Sequence, residues 1–114
     1  MANNLMQTPE HELFRETVRR FVDDELRPRA REFDEAGRLD TTLYKKMGDL
    51  GMLGLRYDPE YGGAGLDWSF SAVMFEEIGS CDNAGVAMGI SVHTDMATPS
   101  LAEFGSPELK ERFL

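Results

Sequence analysis

The sequence predicts an all-α domain of five to six helices, packed as an orthogonal or up-and-down bundle, with no convincing strand. Three observations carry that expectation. Apolar residues recur at steps of one, three and four in separate windows, which is the stripe of a 3.6-residue helix. Thr8-Pro9 and Ser106-Pro107 pair a capping hydroxyl with a proline suited to the first helical turn. Glycines at 37, 51, 79 and 105 close the periodic windows.

The elements follow in order. Residues 1–7 read as a loose arm ahead of the domain at 8–114. The first helix starts at Thr8 and carries Leu13, Phe14, Val18, Phe21, Val22 and Leu26 on one face. Glu10 and Glu12 suit the positive end of its dipole. His11 lies in that charged first turn and reads as exposed. Pro28 removes a donor and disfavours helix at Arg27, so it kinks or ends the helix, and a short segment runs on to about Glu35. Asp40 or Thr41 caps the next helix, whose apolar face is Leu43, Tyr44, Met47 and Leu50.

Residues 51–66, GMLGLRYDPEYGGAGL, hold five glycines and read as a loop. The run Gly62-Gly63-Ala64-Gly65 looks like a phosphate cradle at first sight. It has no lysine of the GxxxxGK[ST] type, its spacing fails GxGxxG, and no strand leads into it. It reads instead as a tight turn with positive φ. Asp67 or Ser69 starts a helix with Phe70, Val73, Met74 and Ile78 inward. Asp82 or Asn83 caps the next one. In that segment Ala84, Gly85, Ala87, Gly89 and Ser91 alternate with Val86, Met88, Ile90 and Val92. The alternation has the period of a strand, but the cap and the small residues favour a closely packed, buried helix. His93 reads as a polar cap near its end. Pro99 marks the first turn or a kink of a helix over Leu101, Ala102 and Phe104. A last helix runs from Pro107, and the chain stops within it on Phe113-Leu114, where a natural domain seldom ends.

Composition bounds the function. A chain of 114 residues with 41% hydrophobic and 29% charged residues buries a core without metal or disulfide. A net charge of −9 opposes binding to nucleic acid or to an anionic membrane surface. The single cysteine, Cys81, forms no intrachain disulfide and reads as a small apolar residue in a reducing compartment. No window has 18 consecutive apolar residues. The first eight residues, MANNLMQT, have the character of neither a secretory signal nor a transit peptide, so the expected location is cytoplasmic.

No catalytic constellation stands out. His11 and His93 belong to neither HxxxH nor HExxH, so no metal site is expected. Nothing like GxSxG marks a nucleophile. Glu76 and Glu77 are adjacent, hence about 100° apart on a helix; one faces a neighbouring element and the other water.

Several stretches in fixed order are similar to one family. Leu50-Gly51-Met52-Leu53-Gly54-Leu55 is followed by Pro59-Glu60-Tyr61-Gly62-Gly63-Ala64-Gly65-Leu66. Then come Phe75-Glu76-Glu77-Ile78-Gly79 and Phe104-Gly105-Ser106-Pro107-Glu108-Leu109-Lys110-Glu111-Arg112-Phe113-Leu114. Together with Pro28 and Asp34-x-x-Gly37, they resemble the N-terminal helical domain of acyl-CoA dehydrogenases across residues 8–114.

The resemblance implies an FAD-dependent oxidoreductase. Such an enzyme removes an α-proton from an acyl-CoA thioester with a glutamate and passes a β-hydride to the flavin, giving a trans-2-enoyl-CoA. It implies an electron-transfer flavoprotein as electron acceptor and a homo-tetramer or dimer. The family's middle β-domain, C-terminal helical domain, base and flavin-binding segments match no position here. The resemblance therefore assigns no catalytic, cofactor-binding or metal residue, and this chain alone is expected to be inactive and free of FAD. It assigns one role: the small-residue helix forms part of the acyl-chain pocket, through Ala87, Met88, Ser91 and Asp95. Acyl-CoA oxidases, flavin monooxygenases and a non-catalytic helical module share the fold as alternatives.

Overall fold

The computed structural model describes residues 8–114; the arm expected at 1–7 lies outside the described residues. Seven α-helices are present: α1 (Pro9–Phe21), α2 (Ala30–Ala36), α3 (Thr42–Asp49), α4 (Trp68–Ile78), α5 (Ala84–Ser91), α6 (Thr98–Phe104) and α7 (Pro107–Phe113). Two pairs are continuous. A π turn at Val22–Leu26 and a 3₁₀ turn at Arg27–Arg29 join α1 to α2, and a π turn at Val92–Ala97 joins α5 to α6. The described chain thus makes five unbroken helical runs, within the five to six expected, although the helices expected around 84–92 and after Pro99 are one run, and contains no strand.

Pro28 acts as expected, since the helix tightens into the 3₁₀ turn there rather than continuing as α. Gly37 ends α2 in the left-handed region at φ 70°. Asp40 supplies the cap at the start of α3, its carboxylate accepting from the Thr42 amide at 3.0 Å. Asp67 caps α4 through the Ser69 amide at 2.9 Å, and Asn83 caps α5 through the Val86 amide at 3.0 Å. Each cap satisfies an amide that has no partner within its own helix.

The core is built from one face of each run. Val18, Phe21, Val22 and Leu26 meet Leu43 and Met47 of α3, Met74 and Ile78 of α4, and Val86 and Ile90 of α5. Met52 and Leu55 enter it from the glycine-rich loop, and Cys81 fills it as a free, buried thiol. Fully burying a side chain of this size contributes about 1.5–3 kcal/mol. The molecule is a slab of about 39 × 39 × 20 Å, so many apolar side chains remain on its faces.

Two expectations on α1 are corrected. Leu13 is 66% exposed, because its face continues through Thr17, Arg20 and Asp24 rather than into the apolar stripe. His11 is buried instead. Its ring stacks on Phe70 at 3.9 Å between centroids, and Nε2 lies 2.5 Å from Ser69 Oγ. The Thr8 amide donates to Nδ1 at 3.0 Å, which completes a capping box with histidine in the place usually held by Glu or Gln. Leu50 at the end of α3 is likewise exposed.

Candidate functional site

Helix α5 and the π turn after it carry all four residues assigned to the pocket, so their placement decides what the site is. Asn83 holds the start of α5 twice. Its side chain caps Val86, and its Nδ2 donates to the Ala30 carbonyl of α2 at 2.9 Å. Val86 and Ile90, four residues apart, then point into the core. The expected buried helix is therefore only half-buried, with one face inward and the other open. The strict alternation along 84–92 has no structural meaning here; the i, i+4 pair sets the inward face.

Ala87 is partly buried and packs against the core cluster. Ser91 is also partly buried, one turn further along. Met88 lies further from the core on the same side and is 56% exposed. Val92 and Met96 follow it at steps of four and are exposed as well. Ala87, Met88 and Ser91 thus sit on one flank of a helix, from partly buried Ala87 and Ser91 to exposed Met88. Val92 and Met96 were not singled out from the sequence, although stepping by four from Met88 reaches both.

Asp95 is placed differently. Its carboxylate takes a hydrogen bond from Arg56 Nη2 at 2.9 Å, and each side chain is only 15% exposed. Thr94 Oγ1 also donates to Asp95. Arg56 Nε reaches Ser71 Oγ at 3.2 Å, and its guanidinium lies 3.5 Å from the ring centroid of Trp68. The adjoining cavity, lined by Met74, Phe75, Arg56 and Asp95 among others, has a volume of about 10 Å³, which is at the lower limit for one water molecule. Asp95 is a partner in an ion pair, and the sequence pattern missed its partner, Arg56.

Tyr57, next to Arg56, ties the same two segments together. Its hydroxyl lies 3.2 Å from the Thr94 carbonyl and 2.6 Å from Thr98 Oγ1. His93 is not a helix cap. It stands exposed in the π turn, with its ring 5.4 Å from that of Tyr44.

The glycine run does not fit a phosphate cradle. The amides of Gly62, Gly63, Ala64, Gly65 and Leu66 donate to the carbonyls of Pro59, Asp58, Gly54, Tyr57 and Leu55. A phosphate cradle needs such amides free. A Cβ at Gly63 would lie 2.1 Å from the Tyr57 carbonyl oxygen, so its glycine is required by the loop's own packing. Gly62 and Gly65 have φ of 88° and 64°, as expected for the turn. Among the described residues no group of three His, Cys, Asp or Glu is placed to hold a metal ion. None of the described helices is long and apolar enough to cross a membrane.

Glu77 resolves the paired-carboxylate question. It is buried on the α1-facing side of α4, whereas Glu76 is exposed. Arg15 donates to Glu77 at 2.9 Å, and Arg19 donates through Nε at 3.1 Å and Nη2 at 2.9 Å. Burial by itself would raise the Glu77 carboxyl, but the hydrogen bonds from Arg19 and Arg15 prevail and hold it below the usual glutamate range. A carboxylate so paired is a clamp between helices, and a general base needs a freer one.

The family model for the acyl-CoA dehydrogenase N-terminal domain matches residues 8–114. A short-chain-specific acyl-CoA dehydrogenase of Clostridium acetobutylicum is 39% identical over 108 residues, covering 94% of this chain and 28% of that protein. The long-chain-specific mitochondrial acyl-CoA dehydrogenase of Rattus norvegicus is 36% identical over 105 residues, covering 92% of this chain and 24% of that protein. The crystal structure of an acyl-CoA dehydrogenase from Geobacillus kaustophilus superposes with a TM-score of 0.88 at 30% identity, over 97% of this chain and 29% of that one. The chain spans about a quarter to three tenths of the length of these relatives. With its five helical runs in matching order, the chain belongs to the acyl-CoA dehydrogenase N-terminal domain family.

Proposed function

We propose that residues 8–114 are the N-terminal helical domain of a flavin-dependent acyl-CoA dehydrogenase, which converts an acyl-CoA thioester to its trans-2-enoyl-CoA. The observation that supports this most is the match of the family model to every described residue. FAD is the redox cofactor the reading implies for the complete enzyme. No flavin contact and no base is assigned to the described residues, so no chemical step is placed on them.

What the chain contributes is a wall. Ala87, Met88, Ser91 and Asp95 line the acyl-chain side of α5 and the π turn. The open apolar flank of Met88, Val92 and Met96 supports this reading, since such a row gains by being covered by hydrocarbon. Relatives named for short and for long acyl chains are nearly equally similar, so overall similarity does not assign a chain length. Ala87 and Ser91 are small and favour a medium or longer chain.

The same reading takes an electron-transfer flavoprotein as electron acceptor, a homo-tetramer or dimer as the assembly, and the cytoplasm as the location. Exposed Phe104, Leu109 and Phe113 support burial of this domain against further protein surface. The test is to express the complete reading frame and measure bound flavin and acyl-CoA oxidation with an electron-transfer flavoprotein as acceptor. Flavin-loaded, acyl-CoA-dependent reduction of that acceptor is expected. A protein that binds no flavin and oxidises no acyl-CoA would contradict the proposal.

A further inference from the structure

Arg56 gathers three separate parts of the fold. It lies in the loop between α3 and α4, yet its side chain reaches Ser71 in α4, the ring of Trp68 at the start of α4, and Asp95 in the π turn. Among the described residues Arg56 is the cation paired with Asp95. Both side chains are 15% exposed, so the pair is largely removed from water. A carboxylate in such a place is tolerated when a fork-shaped donor faces it, and becomes costly when that donor is removed.

Position matters as much as pairing. Asp95 follows Ser91 by four residues and precedes Met96 directly, on the segment proposed to meet the acyl chain. The π turn also leaves the regular helical ladder there, so its course depends on side-chain anchors. Arg56 and Tyr57 supply them from adjacent positions of one loop, the first through Asp95 and the second through Thr94 and Thr98.

We propose that Arg56 is a positioning and specificity-determining residue: by neutralising and fixing Asp95, it makes the Ser91–Met96 wall acceptable to an apolar acyl chain. This rests on the acyl-CoA dehydrogenase reading above. Arg56 touches no substrate in this account; it acts through Asp95. Without it, an unpaired carboxylate stands beside the chain, and the longer chains that reach it lose most. The chemistry at the thioester end is unaffected.

The experiment uses the holoenzyme from the complete reading frame, with straight-chain acyl-CoA thioesters of increasing length. Four forms are compared: wild type, Arg56→Met, Arg56→Lys, and the double variant Arg56→Met with Asp95→Asn. For Arg56→Met, KM for the longest accepted substrate rises on the order of tenfold relative to the shortest, the loss of about one charge-assisted contact, while kcat for the shortest stays near wild type. Arg56→Lys keeps a cation, and the double variant removes both charges, so both return the ratio of KM values to within about twofold of wild type.

A purely structural role predicts the opposite pattern: stability falls in all three variants and the length ratio does not move. That result overturns the proposal, as does an Arg56→Met shift that persists in the double variant. If Arg56→Met does not fold, Arg56→Gln takes its place: a length ratio raised in Arg56→Gln and restored in Arg56→Lys supports charge neutralisation, and an unmoved ratio in Arg56→Gln overturns it. A wild-type protein without flavin or acyl-CoA oxidation is a different outcome, because it overturns the parent reading and this inference with it.

Discussion

Arg19 holds Glu77 through two nitrogens, Nε to Oε2 at 3.1 Å and Nη2 to Oε1 at 2.9 Å, across the interface of α1 and α4. Arg15, one turn earlier, adds a third bond to Oε1. A planar guanidinium and a planar carboxylate meeting in this way fix direction as well as distance. The contact therefore sets how the longest helical run lies across the helix that leads into the proposed acyl wall.

Replacing Glu77 by Ala takes one carboxylate away from the largely buried Arg15, which keeps its contacts to Glu76 and Glu12. The expected loss is about 2–3 kcal/mol of unfolding free energy, measured by urea denaturation at neutral pH. A change below about 0.5 kcal/mol, typical of a surface site, would place the pair among contacts without energetic weight.

The same carboxylate makes a pH prediction. Its folded-state pKa is lowered from the ordinary 4.5, so its contribution is fully present above that value and is lost as pH falls through the lower folded one. The stability difference between wild type and Glu77→Gln should be constant from pH 7 to 5 and shrink below about 4.5. A gap that widens on acidification contradicts the sign of the shift.

His11→Ala removes a part-buried hydrogen bond to Ser69, the capping contact with Thr8 and a stacked contact with Phe70. The expected cost is about 2 kcal/mol, with no change in acyl-CoA preference, because the residue lies at the start of α1 and away from α5. Denaturation paired with substrate profiling checks both halves.

Gly63→Ala and Gly51→Ala separate two reasons for glycine. At Gly63 the added methyl meets the Tyr57 carbonyl oxygen at 2.1 Å, so the loop must rearrange, at an expected cost of about 3 kcal/mol. At Gly51 the space is open and only φ of 75° is unfavourable, for about 1 kcal/mol. Equal effects at the two sites would mean that the close approach of the loop to itself is not what requires Gly63.

Ala87→Phe in the complete enzyme should shift preference toward shorter acyl chains by adding bulk to the wall. Because Ala87 also packs against the core, melting temperature is measured alongside. A lower melting temperature with an unchanged length profile would assign Ala87 to helix packing.

Much of this fold is legible in the sequence because caps, prolines and apolar steps are local signals. Thr8-Pro9, Asn83, Gly37 and Ser106-Pro107 each name an element end correctly. His11 and Leu13 misled for a shared reason: periodicity weights hydrophobicity, while burial followed the face set by Val18 and Val22. The ion pairs were hidden because Arg56 and Asp95 are 39 residues apart, and Arg19 and Glu77 are 58 apart. No local pattern links such pairs; only the packing of α1 on α4, and of the loop on the π turn, brings them together. The pocket residues came from family resemblance. The structure added Val92, Met96 and Arg56 around them.

The most direct measurement is flavin content and acyl-CoA oxidation by the complete protein, with residues 8–114 expressed alone as the control. The account predicts bound FAD and acyl-CoA-dependent reduction of an electron-transfer flavoprotein for the complete protein, and neither for residues 8–114 alone. A complete protein without flavin or acyl-CoA oxidation would contradict it.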